Sequence, residues 1–190
     1  VRPVTNEAMP VLYEFEACPW CRVAREAISE AGLSLLVRPC PKGGMRFRPK
    51  VEEMGGKSQF PYWLQDENAA GMYESGAIAK LMRETYNAPR PLLHWLGPVN
   101  GILSSYAAIV RLGFGRNAKP AKPQAGRLEF YGSEASPSAR LVKEALCSLE
   151  REYIWHPGEG GSVRLFDSAF GDTINGGRAI LKHLKTYHKA

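Results

Sequence analysis

The sequence predicts an α/β protein made of two similar units in tandem, joined by a linker helix, with the second unit degenerate and one helix shorter. Three observations lead there. Sliding the 190-residue chain on itself by 118 positions aligns residues 11–39 with 129–157 without a gap. Tyr13, Glu16, Ala17, Pro19, Arg22, Glu26, Ala27 and Pro39 then fall on Tyr131, Glu134, Ala135, Pro137, Arg140, Glu144, Ala145 and Pro157. Roughly two identities are expected by chance in such a window, so the match marks an internal repeat. Further along, an offset of 102 places Ala77-Ile78 on Ala179-Ile180 and Lys80 on Lys182; the difference, 16 residues, is one helix with its loop. Within each copy the apolar pattern reads strand, helix, strand, two short strands and a closing helix. The units are 1–88 and 128–190, with a linker at 89–127.

Each element has a local reason. Val11 to Phe15 is a short apolar and aromatic run suited to a buried strand. Pro19 stands where the first turn of a helix tolerates proline. Val23, Ala24, Ala27, Ile28 and Ala31 follow at helical spacing, with Arg22, Arg25, Glu26 and Glu30 on the opposite, polar side. Gly32 stops that helix, and Ser34 to Val37 is the next strand. A strand, crossover helix and strand in so short a span imply a parallel pair. Phe60 to Gln65 and Met72-Tyr73 supply two further strands, and Ser75 to Tyr86 the closing helix. In the linker, Ile102, Leu103, Tyr106, Ile109 and Val110 form one apolar stripe. That stripe suits a connector helix at 100–114 packed on a sheet. A second reading is a helix docked on a membrane surface or a partner, with Arg116, Lys119, Lys122 and Arg127 beside it.

Composition removes several classes. The chain is 44% hydrophobic and 23% charged, the balance of a globular protein rather than a disordered or fibrous one. The stretch from Leu92 to Phe114 is interrupted by His94, Pro98, Asn100 and Arg111, too often for a membrane-spanning helix. A net charge of +6 admits an acidic partner or surface but reads more simply as solubility. Arg46, Arg48 and Lys50 cluster near Phe47 without any nucleic-acid motif, so a solvated surface segment is expected there and no nucleic acid. No signal or transit peptide is recognisable, and the chain opens on Val1 without an initiator methionine, as a processed precursor or a trimmed chain would.

The chemistry concentrates in the first unit. Cys18-Pro19-Trp20-Cys21 sits at a strand-to-helix junction, where helix amides and dipole favour a thiolate at Cys18 and Cys21 lies one turn on as a resolving thiol. Two inert core cysteines would give the same spacing. A zinc half-site needs two further ligands, and Cys40, Cys147 and the four histidines offer no second CxxC or HxxxH, so no metal is expected. Downstream, Pro61 begins a strand that otherwise reads as internal, which a cis peptide at Phe60-Pro61 would explain, leaving the Phe60 backbone free to pair with an extended ligand. Glu74-Ser75-Gly76 opens the closing helix with amides, a hydroxyl and a carboxylate suited to a γ-glutamyl group; Ser75 as an ordinary cap is the competing reading.

The strings CPWC (18–21), CPKGG (40–44), RFRPK (46–50), GGKSQFP (55–61) and YESGAI (73–78) follow one another in fixed order. Residues 11–86 resemble the N-terminal domain of glutathione transferases and glutaredoxins, a thioredoxin-like fold. The whole series, continued by LGPVNGILSSYAAIVRLGFGR and FYGSEASPSARLVKEALCSLE, closely resembles a plant and algal family of tandem glutathione S-transferase N-terminal domain proteins. The resemblance implies that Cys18 is a glutaredoxin-type nucleophile, Cys21 its resolver, Pro61 the cis-proline, and Glu74 and Ser75 the γ-glutamyl binders. Glutathione is then ligand and reductant. It also implies a chloroplast setting, in the stroma or peripheral to the thylakoid membrane. The all-helical domain that supplies a transferase's second pocket has no counterpart, so transferase activity is not expected.

The second unit departs from all of this. Cys18 becomes Ser136 and Cys21 becomes Ala139, while Pro61, Glu74 and Ser75 become Val163, Gly176 and Gly177. The apolar pattern survives in Leu141, Val142, Ala145, Leu146 and Leu149, and the missing helix should leave one sheet face less covered. Three functions therefore stand at this stage. The first is a glutathione-dependent thiol–disulfide oxidoreductase acting through Cys18. The second is a non-catalytic accessory subunit of a plastid photosynthetic membrane complex, making contact through the linker helix and the second unit. The third is a module that binds glutathione or a peptide without turnover.

Overall fold

The computed structural model describes residues 9–66, 69–88, 115–158 and 162–190; the expected linker helix at 100–114 lies outside them. The first half runs β1 (Val11–Glu14), α1 (Pro19–Ala31), β2 (Leu35–Pro39), α2 (Arg48–Gly55), β3 (Tyr62–Leu64) and α3 (Ser75–Tyr86). The second runs β4 (Leu128–Tyr131), α4 (Pro137–Ser148), β5 (Tyr153–His156), β6 (Arg164–Asp167), β7 (Asp172–Asn175) and α5 (Gly177–His183), which passes into a π-helical turn at Leu184–His188. As the sequence leads one to expect, Pro19 opens α1 and Gly32 closes it in the left-handed region (φ 63°), its amide turned back to the Ile28 and Ser29 carbonyls. The strand expected at 34–37 starts one residue later and ends two residues later, at Leu35–Pro39. The one at 60–65 is shorter, and Met72 joins the sheet as an isolated bridge to Trp63.

Among the described residues, seven strands form one sheet in the order β3-β1-β2-β5-β4-β6-β7. β1 and β2 are parallel, as are β4 and β5, and β3 and β6 run antiparallel to β1 and β4. The halves meet edge to edge through an antiparallel β2–β5 pair, in which Leu36 lies opposite Ile154. Those two positions are related by the same 118-residue offset that aligns the halves in sequence. The pairing therefore treats both sides alike. The bridge of Trp63 to Met72 likewise has its counterpart, at the 102 offset, in the pair Leu165–Ile174.

One face of the sheet carries a continuous apolar core beneath α1, α3, α4 and α5, from Leu12, Ile28, Val37, Trp63 and Met82 through Phe130, Val142, Trp155, Leu165 and Ile180. Each such side chain taken from water contributes about 1.5–3 kcal/mol before entropy is counted. On the other face α2 covers only the first end, where Val11, Tyr13, Phe47, Val51, Tyr62 and Leu64 pack together with Cys18, Cys21 and Cys40. The second half has no such cover among the described residues. Its outer face is not bare hydrocarbon, however. Arg164 lies over the Tyr131 ring at 4.1 Å, and Tyr131 stacks on His156 at 4.4 Å. Ile154 and Phe166 beside them are half-buried.

The polar side assigned to α1 needs correction. Arg25 is buried, not solvated: it binds Glu14 by Nη1, Glu16 at 3.2 Å by Nη2 and Glu134 of the second half at 3.2 Å by Nε. Lys143, which matches Arg25 at the 118 offset, is buried as well; it pairs with Glu134 and lies 4.5 Å over the Trp155 ring. Burial pushes its pKa down to about 8. Backbone contacts, by contrast, are reciprocal. The Glu134 amide donates to Ser29 Oγ at 3.3 Å, and the Glu16 amide to Cys147 Sγ at 3.4 Å. Again the partners match at an offset of 118. The polar faces of α1 and α4 are turned toward the other half, where a charge survives only if paired.

Candidate functional site

Cys18 occupies the N-cap of α1 in extended backbone (φ −81°, ψ 121°), and its sulfur accepts from the Cys21 amide at 3.4 Å. Nothing special is required of the chain to place it so. Ser136 caps α4 with almost the same backbone (φ −75°, ψ 122°), accepting from the Ala139 amide at 3.3 Å. The first half thus holds sulfur where a helix ordinarily holds a hydroxyl. The Cys18 thiol lies below its ordinary pKa, chiefly because Cys21 donates its S–H to it, with the amides of Cys21 and Trp20 adding to the effect against the cost of burial. Burial pushes Cys21 well up, so it stays a thiol. Burial pushes Cys40 and Cys147 well up too, which disfavours their thiolates.

The residues expected around Cys18 divide into two groups. The Phe60–Pro61 peptide is cis, and the Phe60 carbonyl oxygen lies 4.0 Å from Cys18 Sγ. Glu74 and Ser75 stand at the start of α3, tied to the Phe60 segment by a 2.7 Å bond from Gln59 Nε2 to Glu74 Oε1. Ser75 is not the cap. That position belongs to Glu74, and no side chain caps the first-turn amides. Glu74 holds φ 73° and ψ 113°, a region costly for a side chain bearing a Cβ. Its counterpart at the 102 offset, Gly176, holds φ 87° and ψ 137°, where glycine fits without strain. The first half keeps a glutamate in a glycine's conformation, at about 1–3 kcal/mol.

Two contributors escape a sequence reading. Arg48, expected on a solvated segment, instead donates to the carbonyls of Cys40 and Pro41 and to Ser58 Oγ, and its guanidinium lies 4.6 Å over the Phe60 ring. Phe60 in turn meets Phe15 edge-on at 5.9 Å. The exposed Trp20 indole lies beside the thiol in sequence and offers an apolar surface to a ligand.

A thiol held this way should alkylate selectively. Iodoacetamide is expected to label Cys18 with a pH midpoint below the roughly 8.5 of a free cysteine, and to leave Cys21, Cys40 and Cys147 unlabelled until the protein unfolds. Peptide mapping of the labelled protein across pH reads both outcomes.

Comparison with curated proteins returns no match. Among family models, residues 12–90 match the glutathione S-transferase N-terminal domain, whose thioredoxin-like fold accords with the strands, helices and cis bond just described.

Proposed function

We propose that the chain is a duplicated thioredoxin-like protein, with units at 1–88 and 128–190. In this reading the first unit is a glutathione-dependent thiol–disulfide oxidoreductase acting through Cys18. The carrying observation is the Cys18 sulfur at the α1 N-cap, its pKa lowered by the Cys21 thiol and two amides, where the second half has only Ser136. The reciprocal pairing of positions related by 118 supports the duplication.

The Cys18 thiolate attacks the glutathione sulfur of a glutathionylated substrate and expels the substrate thiolate, which takes up a proton. Glutathione then attacks the enzyme-bound mixed disulfide, releasing oxidised glutathione and restoring Cys18. The net step is a thiol–disulfide exchange: the substrate sulfur returns to the thiol level as the incoming glutathione sulfur is oxidised to the disulfide level, and the glutathione first carried by the substrate leaves in the oxidised product. The γ-glutamyl group lies at the α3 N-terminus against Ser75 and Glu74, and the Phe60 backbone pairs with the cysteinyl part. Cys21, held as a buried thiol, serves as hydrogen-bond donor first and as resolver only for protein disulfides.

A second reading, an accessory subunit in a plastid complex, draws on the second half, where packing persists and every proposed site residue is replaced. The test is turnover of a glutathionylated peptide by the full chain with glutathione as reductant. Turnover is expected to be saturable in peptide and lost on alkylation. Glutathione binding without turnover would overturn the oxidoreductase and favour a binding or accessory role.

A further inference from the structure

The second half, stripped of its thiol, holds another cluster of side chains suited to chemistry. At the end of β6, Asp167 is fully buried, and its Oδ2 meets His183 Nε2 at 2.8 Å and His188 Nε2 at 2.7 Å. All three ligand atoms lie within 4.8 Å of one another. We propose that Asp167, His183 and His188 form a binding site for a divalent transition metal of the zinc type.

Four features of the structure carry this. Two imidazole nitrogens and one carboxylate oxygen are a three-ligand set with the fourth position open, the donor type that selects zinc over magnesium or calcium. The backbone is bent to make it. His183 and His188 are five residues apart, which on an α-helix turns them to different sides. The π-helical turn at Leu184–His188 winds about 4.4 residues per turn and brings both rings to one carboxylate. The carboxylate is also braced from behind: the Ala169 amide donates to Asp167 Oδ1 at 3.1 Å, and Arg151 Nη2 fixes the backbone at His188 by donating to its carbonyl at 2.5 Å. Finally, the matched positions in the first half, at the 102 offset, are Gln65, Leu81 and Tyr86, where Gln65 simply donates to Tyr86 Oη at 2.8 Å. A neutral bond in one copy is a ligand set in the other.

Ligand separations in a tetrahedral zinc site run to ~3.3 Å, given metal–ligand bonds of about 2.0–2.2 Å. Each ring therefore withdraws from Asp167 by about half an ångström, the two Nε2 atoms close toward ~3.3 Å from a separation of no more than 4.8 Å, and each ring carries its proton on Nδ1, freeing the Nε2 lone pair. Phe170 and Tyr187, with half-exposed rings, flank His183 at 5.4 and 4.9 Å. Arg151, whose positive charge faces His188 and Asp167, also spends Nη2 on the Lys122 carbonyl at 2.6 Å. The metal would clamp β6 to the C-terminal helix.

The experiment uses the full chain with Cys18→Ser and Cys21→Ser, so that the CxxC thiols cannot bind metal. After chelator treatment the protein is titrated with cobalt(II) and then zinc. One equivalent of cobalt is expected, with a visible absorption band of tetrahedral type that zinc abolishes, and zinc should raise the melting temperature. Since Asp167 is buried and its loss endangers folding, the decisive variants are His183→Gln and His188→Gln. Each should weaken binding by ~100-fold or more and remove the thermal shift while the circular dichroism spectrum stays unchanged. No uptake by the parent protein, or equal uptake by both histidine variants, would overturn the site and leave a hydrogen-bonded strut.

Discussion

Arg25→Ala is expected to cost about 3–5 kcal/mol of folding stability, read as a lower urea midpoint at unchanged slope. Arg25 is almost completely buried and answers three carboxylates, those of Glu14, Glu16 and Glu134. Its removal leaves these acids with Lys143 alone, whose own charge burial disfavours. The loss should depend on pH, with a sign fixed by Glu14. Burial already raises the Glu14 pKa in the folded state, against the pull of Arg25. Without that pull the pKa rises further. A carboxyl whose folded pKa exceeds its unfolded value stabilises the fold below the unfolded pKa and loses that contribution as pH climbs through the folded one. Arg25→Ala should therefore be less damaging near pH 5 than near pH 8. An equal loss at both would mean that Arg25 acts through packing rather than charge.

Cys18→Ser is expected to lower glutathionylated-peptide turnover by about a thousandfold or more while leaving stability almost untouched. The separation has a structural basis, since Ser136 already caps α4 with the same backbone and the same amide bond. A serine at 18 inherits a working cap and loses only the nucleophile. Cys21→Ser should behave differently. The route through glutathione alone needs no resolver, so peptide turnover should stay within about tenfold, whereas reduction of protein disulfides should fall sharply. The two assays and one thermal melt check the whole pattern. Turnover that survives Cys18→Ser would move the chemistry to another residue.

Much of this was legible in sequence because it rests on local physics. Proline at a first turn, glycine at a helix end and sulfur at an N-cap are properties of short windows, and the structure has Cys18 at the α1 N-cap, a cis Phe60–Pro61 peptide and Glu74-Ser75 at the start of α3. What escaped depends on neighbours distant in the chain. Arg25 falls on the hydrophilic side of α1 by any helical projection, and nothing local reveals that this side meets α4. A hint existed in the repeat, where a basic residue recurs at 143 and an acid at both 16 and 134. Arg48 looked like surface because its partners are backbone carbonyls, which sequence does not distinguish. The spacings among Asp167, His183 and His188 match no ligand motif, since a π-helical turn creates the alignment.

The antiparallel β2–β5 seam carries one more consequence. Each half turns a strand edge and a cluster of buried charge toward the other, so neither resembles a domain that was later appended to a finished neighbour. They stand to each other as protomers do in a two-fold dimer, each the other's missing half. The connecting chain fixes their stoichiometry at one to one and holds them at high effective concentration. Such an arrangement lets one copy drift chemically for as long as its contact surface is kept. In this protein the seam joins a half that carries Cys18 and Cys21 to one that has Ser136 and Ala139 at the matching positions.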